Sequence, residues 1–211
     1  MLTIFLTGSD SFIGQAFRSS CLDTTVNVIG IDAVAKEGGD STNADVRNND
    51  IADLVPIECD AVVHLAALSS DPLCRGKLQE CFDVNVMGTL NMMEVARRKS
   101  VKQFIFASTE WVYTDFCDTP KDENSAIDIQ NIMSEYALSK IVSEQSLRQY
   151  YTGGFFDVTI LRFGILYGPR KIPGSAVESL YFSVGRNESI VVGSKLTARQ
   201  FLHVEDAAAA I

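Results

Sequence analysis

Residues Leu2–Leu6 (LTIFL) run straight into Thr7–Gly14 (TGSDSFIG), and this junction restricts the chain to very few folds. A short apolar run rich in strand formers reads as a buried parallel strand. The turn opens on Gly8, and a helical pattern follows from Phe12 to Ser20. Strand, tight turn and helix in this order present free N–H groups and a partial positive charge at one point, where a pyrophosphate is stabilised. Gly8 permits the turn, and Gly14 lets the helix pack closely on the sheet. Ser11, Phe12 and Ile13 complete the candidate phosphate-binding segment. Ser11 stands where such turns have glycine, and its Cβ predicts an imperfect fit. A second strand, Val26–Ile31, ends at Asp32, 18 residues beyond Gly14. An acidic residue that binds a ribose 2′-hydroxyl is expected about 20 residues past the turn. A carboxylate there repels a 2′-phosphate, and no arginine follows immediately, so the expected cofactor is NAD rather than NADP.

Tyr136 and Lys140 are four residues apart in EYALSK, and Thr109 lies 27 positions before the tyrosine. Residues i and i+4 share one face of a helix. Free tyrosine is a poor base, with a pKa of about 10. A cation one turn away is expected to pull that value toward working pH. Thr109 then holds the substrate oxygen that gains or loses a proton. Together with a dinucleotide turn, this is apparatus for moving a hydride and a proton between an alcohol and a ketone.

Strand and helix patterns alternate along the chain. Strands are predicted at 2–6, 26–31, 61–65, 103–107 and 157–162, and helices at 12–20, 78–98 and 133–150, with a weaker one near 48–54. This alternation predicts an α/β fold: a doubly wound parallel sheet of the Rossmann type. Gly30–Asp45 and Thr114–Asn131 read as loops. After Pro169 the pattern changes, with a helix expected at 174–186 and short strands at Ser189–Val192 and Gln200–Val204. The expected organisation is a dinucleotide-binding domain over 1–168, the start of a small substrate domain over 169–198, and a return toward the core over 199–211. His64, in V-V-H-L, reads as a packed residue at a strand end, and no metal site is expected.

Hydrophobic residues make up 46% and charged residues 21% of the chain, as in ordinary globular proteins. No apolar run approaches the roughly 18 residues of a membrane span. MLTIFLTG lacks a basic leader region and runs directly into a strand, so no signal peptide is expected. The five cysteines, at 21, 59, 74, 81 and 117, form no C-x-x-C pair and read as reduced thiols of a cytoplasmic protein. A net charge of −9 argues against nucleic acid as a partner.

Nine blocks, in order, carry a resemblance: TGSDSFIG (7–14), VIGID (28–32), ADVRN (44–48), VVHLAA (62–67), NVMGTLNMMEVA (85–96), FIFASTEWVY (104–113), YALSK (136–140), LRFGILYGP (161–169) and RQFLHVEDAA (199–208). The chain resembles the extended short-chain dehydrogenase/reductase superfamily, in its NAD-dependent epimerase/dehydratase group, and within it resembles UDP-sugar 4-epimerases. The resemblance implies that Asp45 and Val46 flank the adenine, that Leu65, Ala66 and Ala67 line the cofactor, and that Asn85 lies near its adenosine side. It implies Tyr136 as acid/base, Lys140 on the nicotinamide ribose, Thr109 on the substrate hydroxyl and Phe163 near the nicotinamide. Glu110 and Arg199 would contact substrate, Arg199 gripping the diphosphate of a nucleotide-sugar. The smaller substrate domain of such proteins extends beyond the point at which this sequence stops, Ile211. Two subunits would pair through the helix after Asn85 and the helix of Tyr136, with Leu90, Met93 and Arg97 on one stripe and Met133, Ala137 and Ile141 on the other.

Several reactions share this machinery. An epimerase oxidises a sugar carbon, most probably C4, and returns the hydride to its other face. A 4,6-dehydratase has Asp-Glu directly after the threonine, where this chain has Glu110 and Trp111. Glutamate can replace the aspartate, but tryptophan cannot act as the second acid/base. A ketoreductase or dehydrogenase is a further alternative, and an inactive nucleotide-binding homologue a non-enzymatic one. Ile165 stands where the family often has a sugar-nucleotide-binding asparagine, which leaves the sugar open.

Overall fold

The computed structural model describes residues 1–22, 24–35, 39–113, 120–190 and 199–211. Its main sheet has six parallel strands in the order β3-β2-β1-β4-β5-β6: β1 Leu2–Thr7, β2 Val26–Asp32, β3 Thr42–Asn43, β4 Ala61–His64, β5 Gln103–Thr109 and β6 Asp157–Phe163. This is the doubly wound order, which reverses direction between β1 and β4 and opens a crevice at the carboxyl ends of those strands.

Alternation along each strand divides the core between the two faces of the sheet. Phe5, Val62, Phe104 and Phe106 point to one face, where they meet Met92, Met93, Leu147 and Phe156. Ile4, Leu6, Val63 and Ile105 point to the other, against Ile13 and Phe17 of helix α1 (Phe12–Ser20). Burying each such large side chain contributes about 1.5–3 kcal/mol. Helix α8 (Val204–Ala209) joins the second cluster through Val204, Ala207 and Ala208, so the last residues pack on the dinucleotide-binding core.

His64 closes the centre of the sheet, as its position at a strand end implies. Its Nδ1 lies 2.7 Å from Thr7 Oγ1 and its Nε2 3.0 Å from Thr89 Oγ1. Thr89 donates its own proton to Asn85 O, 2.6 Å away, so it accepts from Nε2–H and leaves Nδ1 to accept from Thr7. A neutral imidazole satisfies both contacts. Burial pushes its pKa down to about 3.

The expected helix over 78–98 is not continuous. It comprises α4 (Leu78–Phe82), a wide π-type turn over Asp83–Met87 and α5 (Gly88–Arg98). The short helices α2 (Ile51–Leu54) and α3 (Asp71–Cys74) precede it. Helix α6 (Glu135–Thr152) carries the Tyr-x-x-x-Lys pair, and α7 (Ala176–Gly185) falls within the expected 174–186. β7 (Ile165–Tyr167), which sequence patterning missed, pairs in parallel with β8 (Phe201–His203) as a second sheet. Ser189 and Ile190 are not in a strand, and the rest of the expected Ser189–Val192 strand lies outside the described residues. So do Cys117 and much of the loop expected from Thr114. The other four cysteines are free. No helix among the described residues is long and apolar enough to cross a membrane.

The proposed pairing stripes need correction. Met93, Ala137 and Ile141 are buried within the chain, because these faces of α5 and α6 pack inward. They are not available to a second subunit. Met87 and Met133, by contrast, are exposed.

Candidate functional site

A cleft of about 940 Å³ follows the carboxyl edge of the main sheet. Asp32, Val34, Asp45 and Val46 line one end, and Gly8, Ser11, Phe12 and Ile13 the middle. Leu65, Ala66 and Ala67 continue the floor toward Thr109, Trp111, Tyr136, Lys140 and Phe163 at the far end. Arg170, Gly174, Ser175 and Ala176 contribute from the opposite wall.

The middle of the cleft is backbone held open. Gly8 has φ +69°, and a Cβ on it would lie 2.8 Å from Ala66 N. A Cβ on Gly14 would strike the carbonyls of Gly8 and Ser9, so Gly14 permits close approach to the turn itself rather than to the strands. Ser11 corrects the expected misfit. Its backbone is extended, at φ −63° and ψ 166°, and it caps α1 by accepting from Gly14 N at 3.1 Å. No left-handed conformation is required there, so serine costs nothing and satisfies one of the helix's orphan donors. The N–H groups of Phe12 and Ile13 in the first turn lack intrahelical partners and suit an anion.

Asp32 is held by two backbone donors: Asp10 N reaches Oδ2 at 3.0 Å and Val34 N reaches Oδ1 at 3.0 Å. Each oxygen keeps a lone pair for a ribose hydroxyl. These features together fit a dinucleotide: a glycine cradle that a Cβ would fill, unpaired helix amides and a carboxylate at the adenosine end. Asp45 also lines the cleft, but its carboxylate is forked by Arg47 at 2.5 Å, which holds its pKa below the usual range.

Ser134 caps α6 by accepting from Ala137 N at 3.2 Å, and Glu144 ties the helix to β5 and β6. Further along, the fully buried Glu144 accepts from Ser108 Oγ at 2.5 Å and from Arg162 Nη2 at 2.7 Å. Tyr136 and Lys140 therefore face the end of β5. The Tyr136 phenol is a neighbour of the Thr109 hydroxyl, whose Oγ1 accepts from Trp111 N at 3.2 Å. Lys140 Nζ donates to Ala107 O at 2.8 Å.

The structure thus brings Thr109, Tyr136 and Lys140 together, but it reverses the expected electrostatics. Burial pushes the Tyr136 phenol up to about 12, and the neighbouring Thr109 hydroxyl only partly opposes this. Burial also pulls Lys140 down to about 8. The ammonium is turned toward the Ala107 carbonyl, 6.0 Å from the Tyr136 ring centre, and does not favour the phenolate strongly enough to overcome desolvation.

Asn85 is also corrected. It does not line the cleft. Its side chain is buried, accepting from Leu68 N at 2.8 Å and donating to Leu68 O at 3.2 Å and Ser139 Oγ at 2.9 Å. It fixes the cleft floor to α6 from behind. Neither Glu110 nor Arg199 lines the cleft. Burial raises the Glu110 pKa, and the Arg199 charge partly offsets that rise, so the two are electrostatic neighbours. Glu110 Oε1 is buried with no hydrogen-bond partner.

Sequence reasoning missed Asp10, Arg170 and Ser175 in the cleft. Asp10 had a signal, a charge inside a glycine-type turn. Ser175 had one too, since S-x-x-E at 175–178 is a capping box, and the box is formed.

The sequence profile of the NAD dependent epimerase/dehydratase family matches residues 4–211. A Methanocaldococcus jannaschii protein that carries the provisional name UDP-glucose 4-epimerase is 30% identical over 98% of this chain and 71% of its own length. Human dTDP-D-glucose 4,6-dehydratase is 32% identical over 70% of this chain, but over 41% of its own length. Among solved structures, a UDP-N-acetylglucosamine 4-epimerase from Methanobrevibacter ruminantium superposes with a TM-score of 0.88. It shares 23% identity over 99% of this chain and 71% of the other, a likeness of fold.

Proposed function

Because the chain belongs to the NAD-dependent epimerase/dehydratase family, we propose that it is a nucleotide-sugar epimerase that oxidises and re-reduces one sugar carbon, C4. The observation that carries this reading is Trp111. It lines the catalytic end of the cleft where elimination would require a second acid/base, and an indole supplies none. Bound NAD would supply the hydride acceptor and donor for the sugar carbon. The chain's own residues handle the proton. Thr109 Oγ1 and Tyr136 Oη face the reacting hydroxyl, and Tyr136 is its proton carrier, acting as base where the positive nicotinamide ring of a bound dinucleotide would offset the burial that holds the free phenol protonated. Lys140 supplies the neighbouring positive charge, and the burial of all three side chains excludes water. Asp32 and the N-terminal turn would hold the dinucleotide, and Arg170, Gly174, Ser175 and Ala176 of the expected substrate segment add a wall of the cleft.

A 4,6-dehydratase is the second reading. Glu110, directly after Thr109 and with its carboxyl pKa raised by burial, supports it, although its side chain lies behind the cleft wall.

A coupled assay of the full-length gene product on UDP-glucose, UDP-N-acetylglucosamine and dTDP-glucose tests both. Inverted stereochemistry without net NADH is expected, and Tyr136→Phe should cut turnover by about 10²–10⁴. A released 4-keto-6-deoxy sugar would reassign the protein as a dehydratase, and accumulating NADH as a dehydrogenase. Pairing of two copies belongs to the same proposal, and a monomer by light scattering at micromolar concentration refutes it.

A further inference from the structure

The dinucleotide-binding turn carries a carboxylate of its own, Asp10, and its surroundings are specific. Asp10 lines the cleft beside Asp32 and donates its backbone N–H to Asp32 Oδ2 at 3.0 Å. Asp10 Oδ1 accepts from Ser41 Oγ at 2.7 Å and lies 3.6 Å from Arg18 Nη1. Arg18 also donates to Ser41 Oγ at 3.0 Å and to Asp40 Oδ2 at 3.0 Å. Only 23% of the arginine side chain is exposed, whereas that of Asp40 is 92% exposed and its charge is screened by water. Two carboxylates, Asp10 and Asp40, therefore stand around one guanidinium.

From this arrangement we infer that Asp10 is a second determinant of cofactor choice. It acts with Asp32 against a 2′-phosphate by adding like charge and by engaging Arg18. A phosphate entering beside Asp32 meets two adjacent carboxylates rather than one. The cation that would suit it is already shared with Asp10, Ser41 and Asp40. Replacing Asp32 alone therefore leaves half of the barrier standing. The inference rests on the dinucleotide reading of the cleft, which wild-type binding tests separately.

Calorimetric titration of the whole chain with NAD and with NADP decides the matter, using wild type, Asp10→Asn, Asp32→Asn, the double variant, and Asp10→Asn combined with Arg18→Ala. Asp10→Asn retains the side-chain volume and the backbone N–H on Asp32. It should shift the NADP-to-NAD affinity ratio toward NADP by about tenfold, the size of one removed like charge near a surface. The double carboxylate variant should shift it further than either single change. Adding Arg18→Ala should abolish much of the Asp10→Asn gain, because the released guanidinium provides the new phosphate contact. Equal losses for both dinucleotides would make Asp10 a structural residue and overturn the inference, as would an unchanged ratio. Wild-type protein that binds neither dinucleotide would overturn the cofactor reading beneath it.

Discussion

Burial acts in opposite directions on Tyr136 and Lys140, and this sets a pH signature for the pair. Lys140 is depressed from 10.5 to about 8. Its stabilising contribution is therefore complete above 10.5 and is lost as pH falls through about 8. Tyr136 is raised from 10.0 to about 12, so its contribution is complete below 10 and is lost as pH rises through about 12. Urea unfolding as a function of pH should show wild type gaining on Lys140→Met between pH 8 and 10.5, by up to about 3 kcal/mol. It should then lose against Tyr136→Phe between pH 10 and 12. A flat wild-type-minus-Lys140→Met curve over the first window would mean that the ammonium is solvated in the folded protein. The identity of both residues was legible from a four-residue spacing. Their pKa values were not, because desolvation depends on what surrounds a side chain in three dimensions, and sequence shows only neighbours along the helix.

At the scale of elements, the wide turn at Asp83–Met87 explains why one long helix was expected and two were found. A π-type turn inserts an extra residue per turn and shifts the face on which later residues lie. It places the Asn85 side chain inward and frees its carbonyl to accept from Thr89 Oγ1 at 2.6 Å and Ser143 Oγ at 3.0 Å. The family resemblance placed Asn85 near the cofactor; its side chain instead bonds to Leu68 and Ser139 of the fold itself. Asn85→Ala should cost about 2–4 kcal/mol, since it strands the Leu68 N–H and removes a donor from Leu68 O and Ser139 Oγ. The midpoint in urea should fall with an unchanged slope. Asn85→Asp should not rescue it, because a second acceptor would then face Leu68 O. Full stability in either variant would remove Asn85 from this structural role. Other elements were readable where local chemistry suffices. Helix α1 falls at its predicted limits because Gly8 and the Ser11 cap fix its start. Strand β7 was not readable because three residues are too few to show alternation, and its partner β8, expected within Gln200–Val204, lies more than thirty positions away in sequence.

At the scale of the molecule, the main sheet and the segment after it are joined at the cleft by one buried carboxylate. Glu178 accepts from Gly168 N at 3.0 Å, Gly174 N at 2.6 Å, Ser175 N at 3.0 Å and Arg170 Nε at 2.8 Å. The Arg170 guanidinium lies 4.1 Å from the centre of the Phe12 ring, at the phosphate-binding turn. The carboxylate thus gathers the chain from Gly168 to Ser175 and holds the arginine over α1. Desolvation alone would raise the Glu178 pKa, but the Arg170 bond and the backbone amides outweigh it and the net shift is downward. Its contribution is therefore present above its unfolded value of 4.5 and is lost as pH falls below that. Glu178→Ala should cost about 3–5 kcal/mol, because it leaves Arg170 largely buried without its counter-charge. Removing Arg170 as well should recover part of that loss, a coupling that a double-mutant cycle in urea measures directly. Glu178→Ala should also weaken NAD and NADP equally, since it loosens one wall of the cleft without touching the carboxylates at the adenosine end. Additive losses in the cycle would show that Glu178 and Arg170 act independently and that the two parts of the chain are not joined through this pair.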